Sequence, residues 1–518
     1  MTFSRTALLA VGPLLFAAPA FSQASLTRTD GAIGSSIDYA LTGPAGDLYY
    51  LLPSLTSGPT PLALVDPADP RVLEVGLDLL SLAEVGFFDG TGNGSVSYPL
   101  PNNPAFQGLD WYAQAVTLSI TTLVLGPITG PTAFAIAGQQ TTAATVGDTG
   151  ILVAGHSLVE LPDGTVVLAG GGATDPAGNP IVAVDLRRFD PQTQSFSVIP
   201  GAQLSHERGA ATATGLLDGR VLYLGGSDGS GAARDTGDLF DPVAGTVTAT
   251  ASMSVPRVGH TATLLADGRV FVAGGITFID PNDPIASINS VTPRTEIYNP
   301  STNSWSNGPN LPDPRAGHAA SRLNDGRVLV TGGVEVPSVF GLPFPAFSND
   351  CQLYNPANNS LSGTGDFGGD RSLHSQITLA DGRVLVAGGA DGNLLTQNFS
   401  PLESCWTFSA TAGGWTQVAD LDTARAFANL HELPSGEVLA IGGFTTVDVI
   451  AVTGTPATGI ERAGGTLASW TTSTSLLANR GAAVSLPVEN ADRVLITGAP
   501  VDGSGQPVLD DSAETYVP

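Results

Sequence analysis

Apolar and polar positions along residues 151–518 fall into short β-length runs, not helical stripes. The clearest runs are Val270-Phe-Val-Ala273 and Val328-Leu-Val-Thr331. Apolar stretches this short, bounded by turn residues, predict strands with both faces covered. Each follows a β-prone run and a tight Asp-Gly-Arg turn, and each ends in Gly-Gly. The unit occurs seven times, as LPDGTVVLAGG (161–171), LLDGRVLYLGG (216–226), LADGRVFVAGG (265–275), LNDGRVLVTGG (323–333), LADGRVLVAGG (379–389), LPSGEVLAIGG (433–443) and a worn ENADRVLITGA (489–499). Its turns begin at 163, 218, 267, 325, 381, 435 and 491, spaced 49 to 58 residues apart. A strand-turn-strand repeat of about 50 residues marks a β-propeller blade.

Four strands fit each repeat. In the third copy strand a is 260–265, strand b is 270–273, strand c contains Glu296-Ile297-Tyr298 and strand d carries Trp305. Comparable c-strand endings recur as RFDP (188–191), LFDP (239–242), LYNP (353–356) and TYVP (515–518). The Gly-Gly doublet, the aromatic before Asp/Asn-Pro, the Trp beyond it and the Arg ahead of strand a together resemble the kelch repeat. The resemblance spans residues 151–518 and implies an all-β fold, a seven-bladed kelch-type β-propeller. The seventh copy stops at strand c, so its fourth strand must come from elsewhere. Residues 132–141 precede the first repeat and are expected to supply it and close the ring.

Residues 23–130 lack the repeat. They alternate β-prone runs (37–41, 48–52, 95–100 and 111–122) with Gly- and Pro-rich turns, which predicts a small β-sandwich ahead of the propeller. Residues 73–85 fit either a short helix or an apolar strand. The Asp89-Gly-Thr-Gly-Asn93 segment has some calcium-loop character but lacks the closing Glu, and reads as a hairpin turn. Residues 131–150 form the linker.

Composition narrows the function. Arg5, the apolar run 7–18 and the small residues around 20–24 have the form of a secretory signal in residues 1–22, so the protein is expected outside the cell or in the periplasm. No other run is long and apolar enough to insert in a membrane. The net charge is −27, and loss of residues 1–22 removes Arg5 and makes it −28. That acidity argues against nucleic-acid partners. Cys351 and Cys405 occupy the same position of adjacent repeats, which keeps them apart as two thiols. The expected state is a monomer without cofactor.

Strand direction places the d–a and b–c connections on one face and the Asp-Gly-Arg turns on the other. Before strand a stand Arg208, Arg257, Arg315, Arg371, Arg425 and Arg480. The kelch resemblance implies that these arginines rim a shallow central pocket. They form either a positive focus for an acidic ligand or internal ties between blades. The b–c loop of the fourth repeat, VEVPSVFGLPFPAFSND (334–350), adds Phe340, Phe344 and Phe347. Arg257, Arg315, Arg371 and these three Phe are therefore the expected site, for a glycan or protein ligand, possibly an acidic one. His156, His260, His318 and His374 each lie seven residues before their turn, spread over four blades, and predict a repeated hydrogen bond, not a metal site.

One segment introduces an enzyme reading. RSLHSQITLADGRVLVAGG (371–389) is similar to the part of galactose oxidase and glyoxal oxidase that carries a Tyr-His pair on copper; by that match His374 would be the ligand. Leu373 stands where that family has Tyr, and the family's further His belongs to a domain following the propeller. The reading is thus a secreted, non-catalytic binding protein. The alternatives are a galactose oxidase-like or polysaccharide-active enzyme and a structural envelope component.

Overall fold

The computed structural model describes residues 25–517 with breaks, the larger ones at 29–35, 63–70, 100–109, 136–141, 175–179 and 499–511. The signal-like residues 1–22 and Phe340 lie outside the described residues. The chain divides into two units, residues 1–140 and 141–518.

In the first unit, one sheet combines Ser25–Arg28, Ser36–Thr42 and Asn93–Pro99, and a second combines Thr132–Ala135, Asp110–Leu118, Leu48–Ser54 and Glu84–Phe87. They share a core containing Tyr39, Leu51, Tyr98 and Trp111, in which the Trp111 indole N–H donates to Tyr39 Oη at 3.0 Å. Val72–Val75 and Glu84–Phe87 are strands at the two ends of the 73–85 segment. Asp89 Oδ1 accepts from the backbone N–H groups of Thr91 and Asn93. The turn so formed joins strands of different sheets, so it is not a hairpin.

Among the described residues the second unit holds seven antiparallel sheets built on four strands, six of them meanders and one completed by a strand from the start of the unit. Blade 3 shows the plan: Thr261–Leu264, Val270–Ala273, Thr295–Asn299 and Ser304–Asn307, paired in chain order. Strands b are buried end to end and strands d are largely exposed, the gradient expected when sheets stack radially. The apolar cores lie between blades. Leu222 and Leu224 of strand b in blade 2 pack against Val270 and Val272, while Val221 and Tyr223 of that strand face Val167 and Ala169 of blade 1. The period-two alternation of a strand thus serves two neighbours at once. Phe271 and Tyr354 stack across blades 3 and 4 with centroids 4.0 Å apart. The series returns on itself through Val166 and Phe189 of blade 1 against Val488 and Leu495 of blade 7.

The closing strand differs from expectation. Thr142–Val146 pairs with Ala513–Val517 and completes blade 7, whereas Thr132–Ala135 pairs with Asp110–Leu118 in the first unit. The physical reason is reach. In blades 2 to 5 strand d ends 18 residues before the next a–b turn begins, at 249, 307, 363 and 417 against 267, 325, 381 and 435. Counting back likewise from 163 reaches 145, within Thr142–Val146.

Candidate functional site

The six arginines before strand a are turned inward. Each is no more than 1 % exposed. Arg257 Nη1 donates to the carbonyls of Gly274 and Arg294, and Nη2 to Glu296 at 2.6 Å. Arg208 pairs with Asp238, Arg425 with Glu461 and Arg480 with Glu514, all from the start of strand c. Arg315 takes Asp350 and also Glu335 of its b–c insertion. Burial lowers the pKa of Arg208, Arg257 and Arg425, and their carboxylates oppose that drop. Their carbonyls face the preceding blade, where the second Gly of each doublet donates to them: Gly226 N–H to Arg257, Gly275 to Arg315 and Gly333 to Arg371. The first Gly must be glycine because a Cβ on Gly225, at φ +60°, would stand 2.5 Å from the Arg257 carbonyl oxygen. The Arg and the Gly-Gly pair are one device that ties blade to blade. Arg257, Arg315 and Arg371 therefore present no positive charge to a ligand, which corrects that part of the expected site.

Arg371 differs from the rest. Where its neighbours find a carboxylate, strand c of blade 5 supplies Trp406. The guanidinium donates to Gly388 O, Gly368 O, Ser404 O and Ser404 Oγ, and lies 4.9 Å from the Phe367 ring centre. Burial brings its pKa down to about 10.

The registered histidines make the expected repeated bond. His156 Nε2 meets Thr497 Oγ1 at 2.6 Å, His260 meets Thr212 at 3.1 Å, His318 meets Thr261 at 3.0 Å and His374 meets Thr331 at 2.8 Å. Every partner lies in the preceding blade. Burial, reinforced by the nearby arginines, takes His260 and His318 down to about 3 and His374 well below the ordinary range. Cys351 and Cys405 are separate buried thiols, with pKa values raised by burial.

Just before the His position of blades 2 to 6, two residues after the Arg, lies one more residue of the d–a connection. There the backbone is left-handed: Ala210 (φ 51°), Gly259 (63°), Gly317 (63°), Leu373 (57°) and Phe427 (59°). These residues chain the blades together around the axis. Gly317 N–H donates to Gly259 O, Leu373 N–H to Gly317 O and Phe427 N–H to Leu373 O. Glycine adopts this conformation freely; leucine and phenylalanine do so at a cost of about 1 kcal/mol or more. The two large apolar residues thus sit on strained backbone, on neighbouring blades 5 and 6, at the mouth of the ring.

A wall stands over that mouth. The b–c connections of blades 4, 5 and 6 form hairpins, Val334–Glu335 with Ala346–Phe347, Ala390–Asn393 with Asn398–Pro401, and Phe444–Asp448 with Thr453–Pro456. They pack side by side in that order. Phe347 is buried edge-on against Phe399, centroids 6.1 Å apart, and Phe444 likewise against Phe427, also at 6.1 Å. Phe344 is 50 % exposed, and Phe278 of the b–c loop in blade 3 is 54 % exposed on the same face. Of the two Phe of the blade 4 loop that are described, Phe347 is buried in the wall and Phe344 faces out. The sequence reading missed the hairpins of blades 5 and 6 and the strained pair. Their signal was the large residues Leu373 and Phe427 where blades 3 and 4 have Gly259 and Gly317.

The residues around His374 do not fit copper. Its Nε2 is engaged by Thr331, its ring packs edge-on to Phe367, and Leu373 offers no donor atom. Among the described residues no group of three His, Cys, Asp or Glu converges on a point where an ion would sit. No described helix is long and apolar enough to cross a membrane.

Comparison with known proteins agrees with this architecture. The kelch-motif family model matches residues 256–312. Spermatocyte protein spe-26 of Caenorhabditis elegans is 25 % identical over 209 residues, 39 % of this chain and 33 % of its own. Alpha-scruin of Limulus polyphemus is 25 % identical over 174 residues, 34 % of this chain and 18 % of its own. The Kelch-like protein terF of Aspergillus terreus is 28 % identical over 138 residues, 24 % of this chain and 29 % of its own. The chain therefore spans a third or less of the relatives it matches. A fungal alcohol oxidase of the AA5 family, solved in complex with copper, superposes with a TM-score of 0.56 at 16 % identity over 73 % of this chain and 77 % of the other, a likeness of fold alone. Repeat, sheet topology and relatives together give the second unit a kelch-type β-propeller fold, with residues 256–312 matching the kelch motif.

Proposed function

We propose that this protein is an exported, non-catalytic binding protein whose ligand, a protein segment or a glycan, docks on the d–a/b–c face over blades 3 to 6. Kelch propellers are typically interaction modules, and on the opposite face the Asp-Gly-Arg turns of blades 2 to 4 pair their own charges. Asp218, Asp267 and Asp325 each bind the Arg two residues on, with N···O distances of 2.6–2.7 Å. The observation that carries the reading is the departure from the repeat at one place: strained Leu373 and Phe427 beneath three stacked hairpins that the propeller itself does not need. Loops that leave the repeat on a rigid scaffold are where binding residues concentrate. The test compares Phe344→Ser with Leu217→Ser, the latter 65 % exposed on the turn face. A partner retained by wild type and by Leu217→Ser but lost by Phe344→Ser, at unchanged melting temperature, supports the reading. Equal retention by both variants removes it.

A further inference from the structure

One hydrogen bond is missing from the chain of left-handed residues that joins the blades. Ala210 N–H donates to Gly155 O at 2.9 Å, Gly317 to Gly259 at 3.1 Å, Leu373 to Gly317 at 2.9 Å and Phe427 to Leu373 at 2.9 Å. Each bond runs from one blade to the blade before it. The equivalent bond from Gly259 of blade 3 to Ala210 of blade 2 is not made, and among the described residues neither the Gly259 N–H nor the Ala210 carbonyl has another partner. Both residues are exposed. Beside this gap the surface is first bare and then apolar. A Cβ on Gly259 would find only Gly317 N within 4 Å, at 3.9 Å, and one on Gly317 would lie 3.2 Å from Leu373 Cδ2. Two glycines thus floor a shallow step bounded by Leu373, and beyond Leu373 stand Phe427 and Phe444.

We propose that this gap receives one peptide group of a bound protein segment, from a residue with an apolar side chain. The proposal rests on the binding reading above and narrows its ligand. A secondary amide is planar and trans, so its N–H and C=O point to opposite sides. One such group accepts from Gly259 N–H, donates to the Ala210 carbonyl and restores the missing bond as a rung of the same chain. The side chain next to it lies over Gly259 and Gly317 and packs against Leu373. The left-handed strain at Leu373 then places an apolar contact beside an open donor and acceptor. An N-acetyl sugar offers the same amide without the side chain, so burial against Leu373 favours the peptide. The arginines of blades 2 and 3 beneath the gap are paired with Asp238 and Glu296, so the site asks for no charge on its ligand.

The test reads saturation transfer from the full-length protein to small capped probes, with affinities from titration. N-acetyl-leucine N-methylamide is expected to bind about tenfold tighter than its glycine counterpart and than N-acetylglucosamine. Methylating one of its two amide nitrogens should weaken it about three- to tenfold, the worth of one hydrogen bond, while methylating the other does little. Leu373→Gly should bring the leucine probe down to the level of the glycine probe at an unchanged melting temperature, and Leu217→Ala should change nothing. Leucine binding that needs Leu373 but ignores methylation of either nitrogen overturns the rung and leaves the face in place, the gap then holding only water. Tighter binding of N-acetylglucosamine overturns the peptide assignment. Transfer to none of the probes overturns the site and leaves the face to its own Phe344→Ser test. Binding indifferent to Leu373→Gly overturns the site as well, and if it falls with Leu217→Ala the face goes with it.

Discussion

The residue that best separates structure from function here is arginine, because the same side chain in six blades sits in unlike company. Arg257 neutralises Glu296, which is 2 % exposed. Arg257→Met would strand that carboxylate and should cost about 3–5 kcal/mol, the usual penalty for breaking a buried pair. Arg371 has no carboxylate to strand. Arg371→Met loses donors to Gly388, Gly368 and Ser404 but also removes an uncompensated buried charge, so it should cost under about 2 kcal/mol. Chemical denaturation of the two variants checks the order; a larger loss for Arg371→Met would show that its carbonyl bonds and the Phe367 contact outweigh charge pairing. Leu373 gives a second contrast. Leu373→Gly relieves left-handed strain of about 1 kcal/mol and loses a half-buried side chain, so its melting temperature should stay near that of wild type. If the residue is there to hold a ligand, affinity falls nonetheless. A clear loss of stability with unchanged affinity would return Leu373 to the scaffold.

Strands tell a parallel story about which segment belongs to which unit. Ala144→Pro removes a donor from the strand that closes blade 7, where Ala144 stands opposite Thr515. Because each blade is stabilised mainly by its neighbours, opening the ring at one joint should lower the melting of the whole second unit. Ala133→Pro, opposite Tyr112 in the first unit, should leave that transition in place. Calorimetry of both variants decides it, and the reverse pattern would restore residues 132–141 as the closing strand. Much of this level was legible in the sequence. The seven turns, the apolar b runs and the aromatic before Asp/Asn-Pro fixed the blades, because each encodes a local conformation. The joint was misplaced because both 132–135 and 142–146 are equally β-prone, and only the spacing shared with blades 2 to 5 separates them. The arginine ring was visible as a pattern, but its direction was not. Whether a guanidinium meets solvent or a carboxylate depends on Asp238, Glu296, Glu461 and Glu514, which lie roughly 30–40 residues away in sequence and meet it only in the folded blade. The binding wall was half legible: the Phe residues of blade 4 stood out, while the insertions of blades 5 and 6 carry no motif.

For the whole molecule the sharpest expectation concerns acid. Two effects compete as pH falls from 7. The net charge of −27 shrinks as carboxylates protonate, which relieves self-repulsion, but with ordinary values near 4 this begins mainly below pH 5. The histidines act earlier. His260 and His318 are held near 3, His431 near 4 and His374 well below 6.5, all by burial first. Their neighbours sharpen the effect, since Arg257, Arg315 and Arg371 repel a proton on the adjacent ring. A folded pKa depressed below the unfolded value means the stability is fully present above about 6.5 and is lost as pH falls toward the folded value, because the unfolded chain takes up protons that the native ring refuses. Each such histidine contributes a slope of roughly 1.4 kcal/mol per pH unit once its unfolded form is fully protonated. Melting temperature should therefore drop between pH 6.5 and 5, a window in which net charge alone predicts little change or a gain. Raising the salt should stabilise the protein at pH 7 by screening its own charge, yet leave the acid slope almost intact, since buried rings are poorly screened. His318→Gln, which keeps a polar group near Thr261, should lower stability at pH 7 modestly and flatten the slope by about a quarter, its share among four such histidines. A melting temperature that is level or rising from pH 6.5 to 5, or a slope that high salt abolishes, would mean that surface charge governs the acid response and that the His–Thr ties between blades are open to protons.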